Sequence, residues 1–325
     1  MLPPTVEIVE VGPRDGFQSV KDFVPTTTKI SIIKSLIDCG VAHLQVTSFV
    51  SPKAIPQMRD AGDVYRQIAE IDGKTRLNAL VPNARGAQLA YAAGVTDITF
   101  VISVTEGHNL ANTRRSVKDS FTELQCIIAD GKFARVKLDL AMVFGCPFEG
   151  EVPVERVLER IFQATEIGVR EICLCDTIGS ANPELVRTVL RAAFDAFPAI
   201  QFRVHFHDTR GLGVLNNYVA YECGIATMES SIGGIGGCPF APGAAGNTAT
   251  EDLAYLFHSM AIATGLDLPK LTEVAKTVIG ATNPARIFSH LAQIQDTEFL
   301  RKRIPDRSFD PVGHESVSLI SRNPF

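Results

Sequence analysis

Seven cysteines are scattered along the 325 residues, and no two of them form a Cys-x-x-Cys pair. An odd, dispersed set argues against a disulfide framework and for free thiols in a reducing compartment. No stretch approaches the roughly 18–20 apolar residues of a membrane span. The opening residues, MLPPTVEIVEVGPRDG, hold no basic segment followed by an apolar one, so no secretory leader is expected. Positive charge is not in excess either. The net charge is −5, which argues against nucleic acid or an anionic membrane as a main partner. No linker rich in Pro, Gly or Ser divides residues 1–265. These absences lead to the expectation of a cytoplasmic protein with one large domain. Hydrophobic residues make up 46% of the chain, enough for a large core.

What is present is a regular alternation. Short β-rich runs recur at about 6–11, 43–48, 75–81, 97–104, 136–144, 171–177, 201–208 and 227–233. Helical patterns follow most of them. Ile30, Ile33, Lys34 and Ile37 have helical spacing, as do Val154, Val157, Leu158 and Ile161. Several helices end in glycine just before the next strand, at Gly40, Gly94, Gly168 and Gly224. Eight strands at a spacing of roughly 30 residues, each with its helix, predict a (β/α)8 barrel, the TIM-barrel fold. A doubly wound open sheet is the alternative. It usually carries a glycine-rich phosphate loop after its first strand, where this chain reads GPRDG. Residues 1–265 are expected to form the barrel, and 266–325 a helical extension packed against it.

In such a barrel, chemistry belongs at the carboxyl ends of the strands. Those ends carry Arg14 and Asp15, Gln45 to Ser48, Asp176, the segment HFHDTRG (205–211) and the glycine-rich loop GGIGGCPFAPGAAGN (233–247). Alternation places His205 and His207 on one strand face with Arg203. Strands 7, 8 and 1 are neighbours in a closed barrel, so Asp15, the histidines and the loop converge. Two nitrogens with Asp and amide oxygens suit a divalent cation of the Mg2+ or Mn2+ type, not a closed structural zinc site. The same residues admit plainer readings. Two histidines can merely share a strand face, GPRDG can be a polar turn with an internal ion pair, and the loop can be a connector. Cys39, Cys173, Cys175 and Cys223 read as ordinary buried thiols.

The stretches VEVGPRDGFQS, TSFVSPKAIPQM, HFHDTRG and GGCPFAPGAAGNTATEDL resemble the hydroxymethylglutaryl-CoA lyase family, within the metal-dependent barrel superfamily of lyases and Claisen-condensing enzymes. The resemblance covers roughly 1–265, and the loop around Cys238 is its most specific part. It implies retro-aldol or retro-Claisen cleavage of a 3-hydroxyacyl-CoA, giving acetyl-CoA and acetoacetate from hydroxymethylglutaryl-CoA. It implies metal ligands Asp15, His205, His207 and Asn247. Arg14 would stabilise the enolate-like thioester oxygen, and Cys238 would take part in proton transfer from a closing loop. Glu251 would support the site. Gln18, Lys21, Ser48 and Arg210 are the candidate contacts to the acyl-CoA substrate. A homodimer or higher homo-oligomer is expected by analogy.

Two positions depart from the family pattern. Gln45 stands where the family usually has Glu, and an amide cannot take up a proton as a carboxylate does. Arg210 stands where the family usually has Tyr, adding a cation suited to a carboxylate or phosphate. Both bear on which acyl group is cleaved. Alternatives are a paralogue acting on another 3-hydroxyacyl-CoA such as citramalyl-CoA, an acetyl-CoA condensing enzyme, a pyruvate-type aldolase, or a catalytically dead, ligand-sensing barrel. The condensing enzymes usually carry longer carboxyl-terminal extensions, and an aldolase would not need the CPFAPG loop. The retained Arg14, Asp15, His205, His207, Cys238 and Asn247 argue against the dead barrel.

Overall fold

The computed structural model describes residues 2–71, 73–237, 246–284 and 287–294. Eight parallel strands close a barrel in chain order: β1 (Glu7–Glu10), β2 (His43–Ser48), β3 (Arg76–Leu80), β4 (Asp97–Ser103), β5 (Arg135–Ala141), β6 (Glu171–Asp176), β7 (Gln201–Phe206) and β8 (Thr227–Ser230). β1 pairs with both β2 and β8, which closes the ring. All eight lie where the hydrophobic pattern places them, and most are shorter at the carboxyl end. The causes are local. Met142 adopts φ 61° directly after β5 and ends its extended run. His207 leaves the parallel ladder and pairs antiparallel with Asn247. Ile232–Gly234 tightens into a 3₁₀ turn in which Gly233 has φ 69°.

The helices form because their apolar residues recur on one side. Thr26–Asp38 buries Ile30, Ile33 and Leu36, and Val154–Glu166 buries Val157 and Ile161. The glycines expected after helices do close them: Gly40, Gly94, Gly168 and Gly224 have φ of 90°, 88°, 96° and 105°, where a side chain would be strained. The helix Leu268–Thr282 packs on Thr26–Asp38 and on the turn after β8. Among the described residues no helix is long and apolar enough to cross a membrane.

The apolar core lies between strands and helices, not inside the barrel. Alternate residues such as Leu44, Ile98, Phe100, Leu138, Ile172, Leu174, Val204 and Phe206 are buried there. The residues between them are also buried, but they are polar: Gln45, Asn78, Asp97, Thr99, Lys137, Arg203, His205 and Glu229. These meet one another across the interior. Arg76 pairs with Asp97 and Glu171 at 2.5 and 3.0 Å, and Arg203 pairs with Glu171 at 2.5 Å. If the hydrophobic stabilisation resides in the strand–helix layer, Phe100→Ala costs about 3–5 kcal/mol in urea unfolding. A loss below about 1 kcal/mol would place the core elsewhere.

Candidate active site and metal centre

The segment GPRDG forms one π-helical turn, Gly12–Gly16, directly after β1. The amides of Arg14 and Asp15 both donate to the carbonyl of Val11, at 3.0 and 2.7 Å. The Phe17 amide reaches back to the Gly12 carbonyl, and this local winding brings two consecutive charged side chains to the same mouth, as π turns often do at functional sites. Glu10 fastens the turn from behind. Its carboxyl accepts the Gly12 and Ile232 amides at 2.7 and 2.9 Å and the Thr250 hydroxyl at 2.6 Å. Burial, partly offset by those bonds, lifts its pKa to about 7. A Cβ at Gly12 would stand 2.7 Å from Glu10 Oε1, so the fastening requires glycine there.

Ligand atoms of Asp15, His205 and His207 all lie within 4.8 Å of one another, and all three residues are buried. Asn247 joins them by donating Nδ2 to Asp15 Oδ2 at 2.8 Å. Asn247 Oδ1 and His207 Nδ1 are buried without a hydrogen-bond partner. Buried polar atoms are rarely left so unless something else meets them. One carboxylate, two imidazoles and an unpaired amide oxygen fit a divalent cation. The protonation states of His207 and Asp15 agree. Burial, then the neighbouring His205, push His207 down to about 3, leaving the neutral imidazole that ligates. Burial opposes the Asp15 carboxylate, but Arg14 and the two imidazoles outweigh it and hold its pKa low.

Two residues behind this set carry no signal in a motif. His205 Nδ1 lies 3.1 Å from Glu229 Oε2, and Lys137 pairs with the other Glu229 oxygen. Burial disfavours the His205 imidazolium, but Glu229 overcomes it and raises the pKa. A carboxylate on the far nitrogen fixes the ring's orientation. The usable signal is alternation: Lys137 stands between Val136 and Leu138, and Glu229 follows Met228, each charge at an inward position of its strand. A second cluster, Asp139, Cys173 and Cys175, also has ligand atoms within 4.8 Å. Its cation is already present, because Lys137 Nζ stands 2.9 Å from Asp139.

Arg14 bridges the site. It donates Nη1 to Asp15 and Nε to Gln45 Oε1. Gln18 donates to Asp15 Oδ1 at 3.2 Å. Ser48 ends β2 with its buried hydroxyl unpaired. Lys21 is exposed, on the segment after the GPRDG turn. Arg210 is held to the neighbouring loop, donating Nη1 to the carbonyls of Ile178 and Gly179 at 2.9 and 2.7 Å. Glu251, in helix Thr250–Ser259, does not reach the cation ligands. It accepts the Gly233 amide at 3.1 Å and so braces the turn from which the glycine-rich loop departs. Cys238 lies outside the described residues. The loop's two ends meet closely: a Cβ on Gly236, at φ 137°, would stand 2.3 Å from Asn247 Nδ2.

Burial is the main cause that raises Glu251 from 4.5 to about 8. The folded state therefore keeps a proton that the unfolded chain releases, and stability falls as pH rises from 4.5 through about 8. Glu251→Gln, which mimics the protonated form, should gain on the wild type in unfolding temperature across that window. A gap that stays constant between about pH 5 and 9 contradicts a protonated Glu251.

Comparison with known proteins gives this geometry a context. Residues 5–278 match the HMGL-like family model. The hydroxymethylglutaryl-CoA lyase of Bacillus subtilis is 42% identical over 289 residues, covering 87% of this chain and 96% of the relative. The (R)-citramalyl-CoA lyase of Chloroflexus aurantiacus is 39% identical, covering 82% and 87%. A solved hydroxymethylglutaryl-CoA lyase from Acinetobacter baumannii, in complex with coenzyme A and 3-methylmalate, superposes with a TM-score of 0.85 at 35% identity, covering 95% of this chain and 98% of that one. The family-model match runs through the whole barrel and the relatives cover most of the chain, so the chain belongs to the HMGL-like family.

Proposed function

We propose that this chain cleaves a 3-hydroxyacyl-CoA thioester in a divalent-cation-dependent reaction, with hydroxymethylglutaryl-CoA giving acetyl-CoA and acetoacetate. As a member of its family it is a carbon–carbon lyase. The observation that carries the reading is the juxtaposition of Arg14 with Asp15, His205, His207 and Asn247 at one mouth of the barrel.

Asp15, His205, His207 and Asn247 would hold the cation, of the Mg2+ or Mn2+ type. When bound, it supplies the Lewis acidity that lowers the pKa of the substrate's hydroxyl. The protein's own residues supply the rest. Arg14 is a permanent cation, buried and fixed on two sides, and would stabilise negative charge growing on the thioester oxygen as the bond breaks. Glu229 holds the His205 ring so that its other nitrogen points into the site. Cys238 would return a proton to the enolate carbon. Gln18, Ser48, Lys21 and Arg210 would contact the acyl-CoA. Arg210 would face substrate through the part of its guanidinium not bonded to the loop carbonyls. A cytoplasmic setting and a homo-oligomeric assembly complete the reading.

A second reading is favoured by one residue. Gln45 places an amide against Arg14, so a different acyl group, citramalyl-CoA, is the competing substrate. Steady-state assays with Mn2+ and each thioester separate the two. The main reading predicts higher kcat/KM for hydroxymethylglutaryl-CoA, and a preference for citramalyl-CoA reverses it. In the same assay His207→Ala should lose more than about a hundredfold, beyond the usual loss for a group that only supports a ligand. Cys126→Ser, on an exposed helix surface, should match the wild type. Retained turnover in His207→Ala would remove the cation site from the account.

A further inference from the structure

Behind Arg14 runs a line of hydrogen bonds that the reaction does not itself require. Gln45 accepts from Arg14 Nε with its oxygen. Its Nε2 donates to Asn78 Oδ1 and to Thr99 Oγ1, each at 3.1 Å. Thr99 donates its hydroxyl to Asn78 Oδ1 at 2.7 Å. Asn78 Nδ2 donates to Asp97 Oδ1 at 2.7 Å, and Arg76 Nε donates to Asp97 Oδ2 at 2.5 Å. Gln45, Asn78, Thr99 and Asp97 are at most 4% exposed. None of their polar atoms is among the unpaired buried ones. Gln45 sits where β2 shifts register against β3, and Asn78 is its direct cross-strand neighbour.

The polarity of this line is fixed from both ends. Asp97 offers only acceptors, so Asn78 must turn its NH2 group toward it. The Asn78 oxygen then faces Gln45, which must answer with its own NH2 group. That leaves the Gln45 oxygen for Arg14, which offers only donors. A carboxylate at position 45 would satisfy Arg14 but would face the Asn78 oxygen, acceptor against acceptor. Turning Asn78 over would only move the same conflict to Asp97. The interior of this barrel is thus built for an amide at position 45.

We propose that Asp97, Asn78 and Thr99 are positioning residues that, through the enforced orientation of Gln45, hold the Arg14 guanidinium where it meets the substrate. The neutral amide leaves Asp15 as the single ion-pair partner of Arg14 among the described residues, so the guanidinium keeps more of its field for the developing anion. This rests on the lyase reading above for the role of Arg14, and not for the relay itself.

Reversing the polarity tests it. In Gln45→Glu the acceptors clash. In Asp97→Asn the new NH2 group must face a donor, Asn78 Nδ2 or Arg76 Nε. In the double variant Asn78 can turn over, and every group is paired again, with the Thr99 hydroxyl free to rotate. The four full-length proteins are compared with Mn2+ bound, using whichever of the two thioesters the wild type cleaves. Each single change should lower kcat about tenfold with KM nearly unchanged, and the double variant should recover to within about threefold of the wild type. Additive losses in the double variant, or full activity in Gln45→Glu, overturn the proposal. Unfolding temperatures give a reading independent of catalysis. If the wild type cleaves neither thioester, the lyase reading falls, and recovery or additivity of the unfolding temperatures still decides the relay. Recovery of unfolding temperature with unchanged kcat in the single variants makes the relay structural and overturns its positioning role.

Discussion

A charge taken inside this barrel must meet an opposite charge or a full set of hydrogen bonds, because an unpaired one costs several kcal/mol. The whole interior is arranged by that requirement. Arg76, Arg203 and Glu171 satisfy each other at the amino-terminal side. Lys137 joins Asp139 and Glu229 in the middle, and Glu229 passes the constraint to His205. At the mouth, Arg14 and Asp15 close the sequence. The last groups, Asn247 Oδ1 and His207 Nδ1, are left without partners. Of the buried polar atoms without a partner, these two stand in the cation set, where a ligand would complete them.

The backbone makes this possible at a few particular places. The π-helical turn puts Arg14 and Asp15 side by side, which a strand could not do with consecutive residues. Glu10 ties that turn to the β8 turn through Ile232 and to the following helix through Thr250, while Glu251 ties that helix to Gly233. The segments that carry Asp15 and Asn247 are therefore fastened to one another by buried carboxyls, both pushed up in pKa by their burial, while Glu229 holds His205 from β8. A rigid frame of this kind keeps ligands in place without relying on the loop between them.

Much of this was legible in the amino-acid sequence. The eight strands follow from β-rich runs at regular spacing, and the helix-closing glycines from the left-handed backbone they adopt. The convergence of Asp15, His205, His207 and the loop after β8 was legible because strand order in a closed barrel brings their ends together, and Asn247 was singled out by the family resemblance. The polar interior was not. Lys137, Glu229, Asn78 and Thr99 are polar residues at alternate strand positions with no motif to mark them, and the partner can lie far away in sequence, 92 residues for Lys137 and Glu229. Only the register of the closed barrel puts them together. Gln45 illustrates the same limit. As a sequence feature it is a departure from a family pattern, whereas in the barrel it is the amide that its neighbours demand. Arg210 reads from sequence as a free cation, but the fold commits one of its nitrogens to the loop after β6.

The account depends above all on a cation held by two imidazoles beside Arg14. Pulsed electron paramagnetic resonance on the protein with one equivalent of Mn2+ tests this directly. Nitrogen couplings from two imidazoles, reduced to one in His207→Ala, are the predicted result. A spectrum of Mn2+ surrounded only by oxygen ligands would contradict the site on which the proposed chemistry rests.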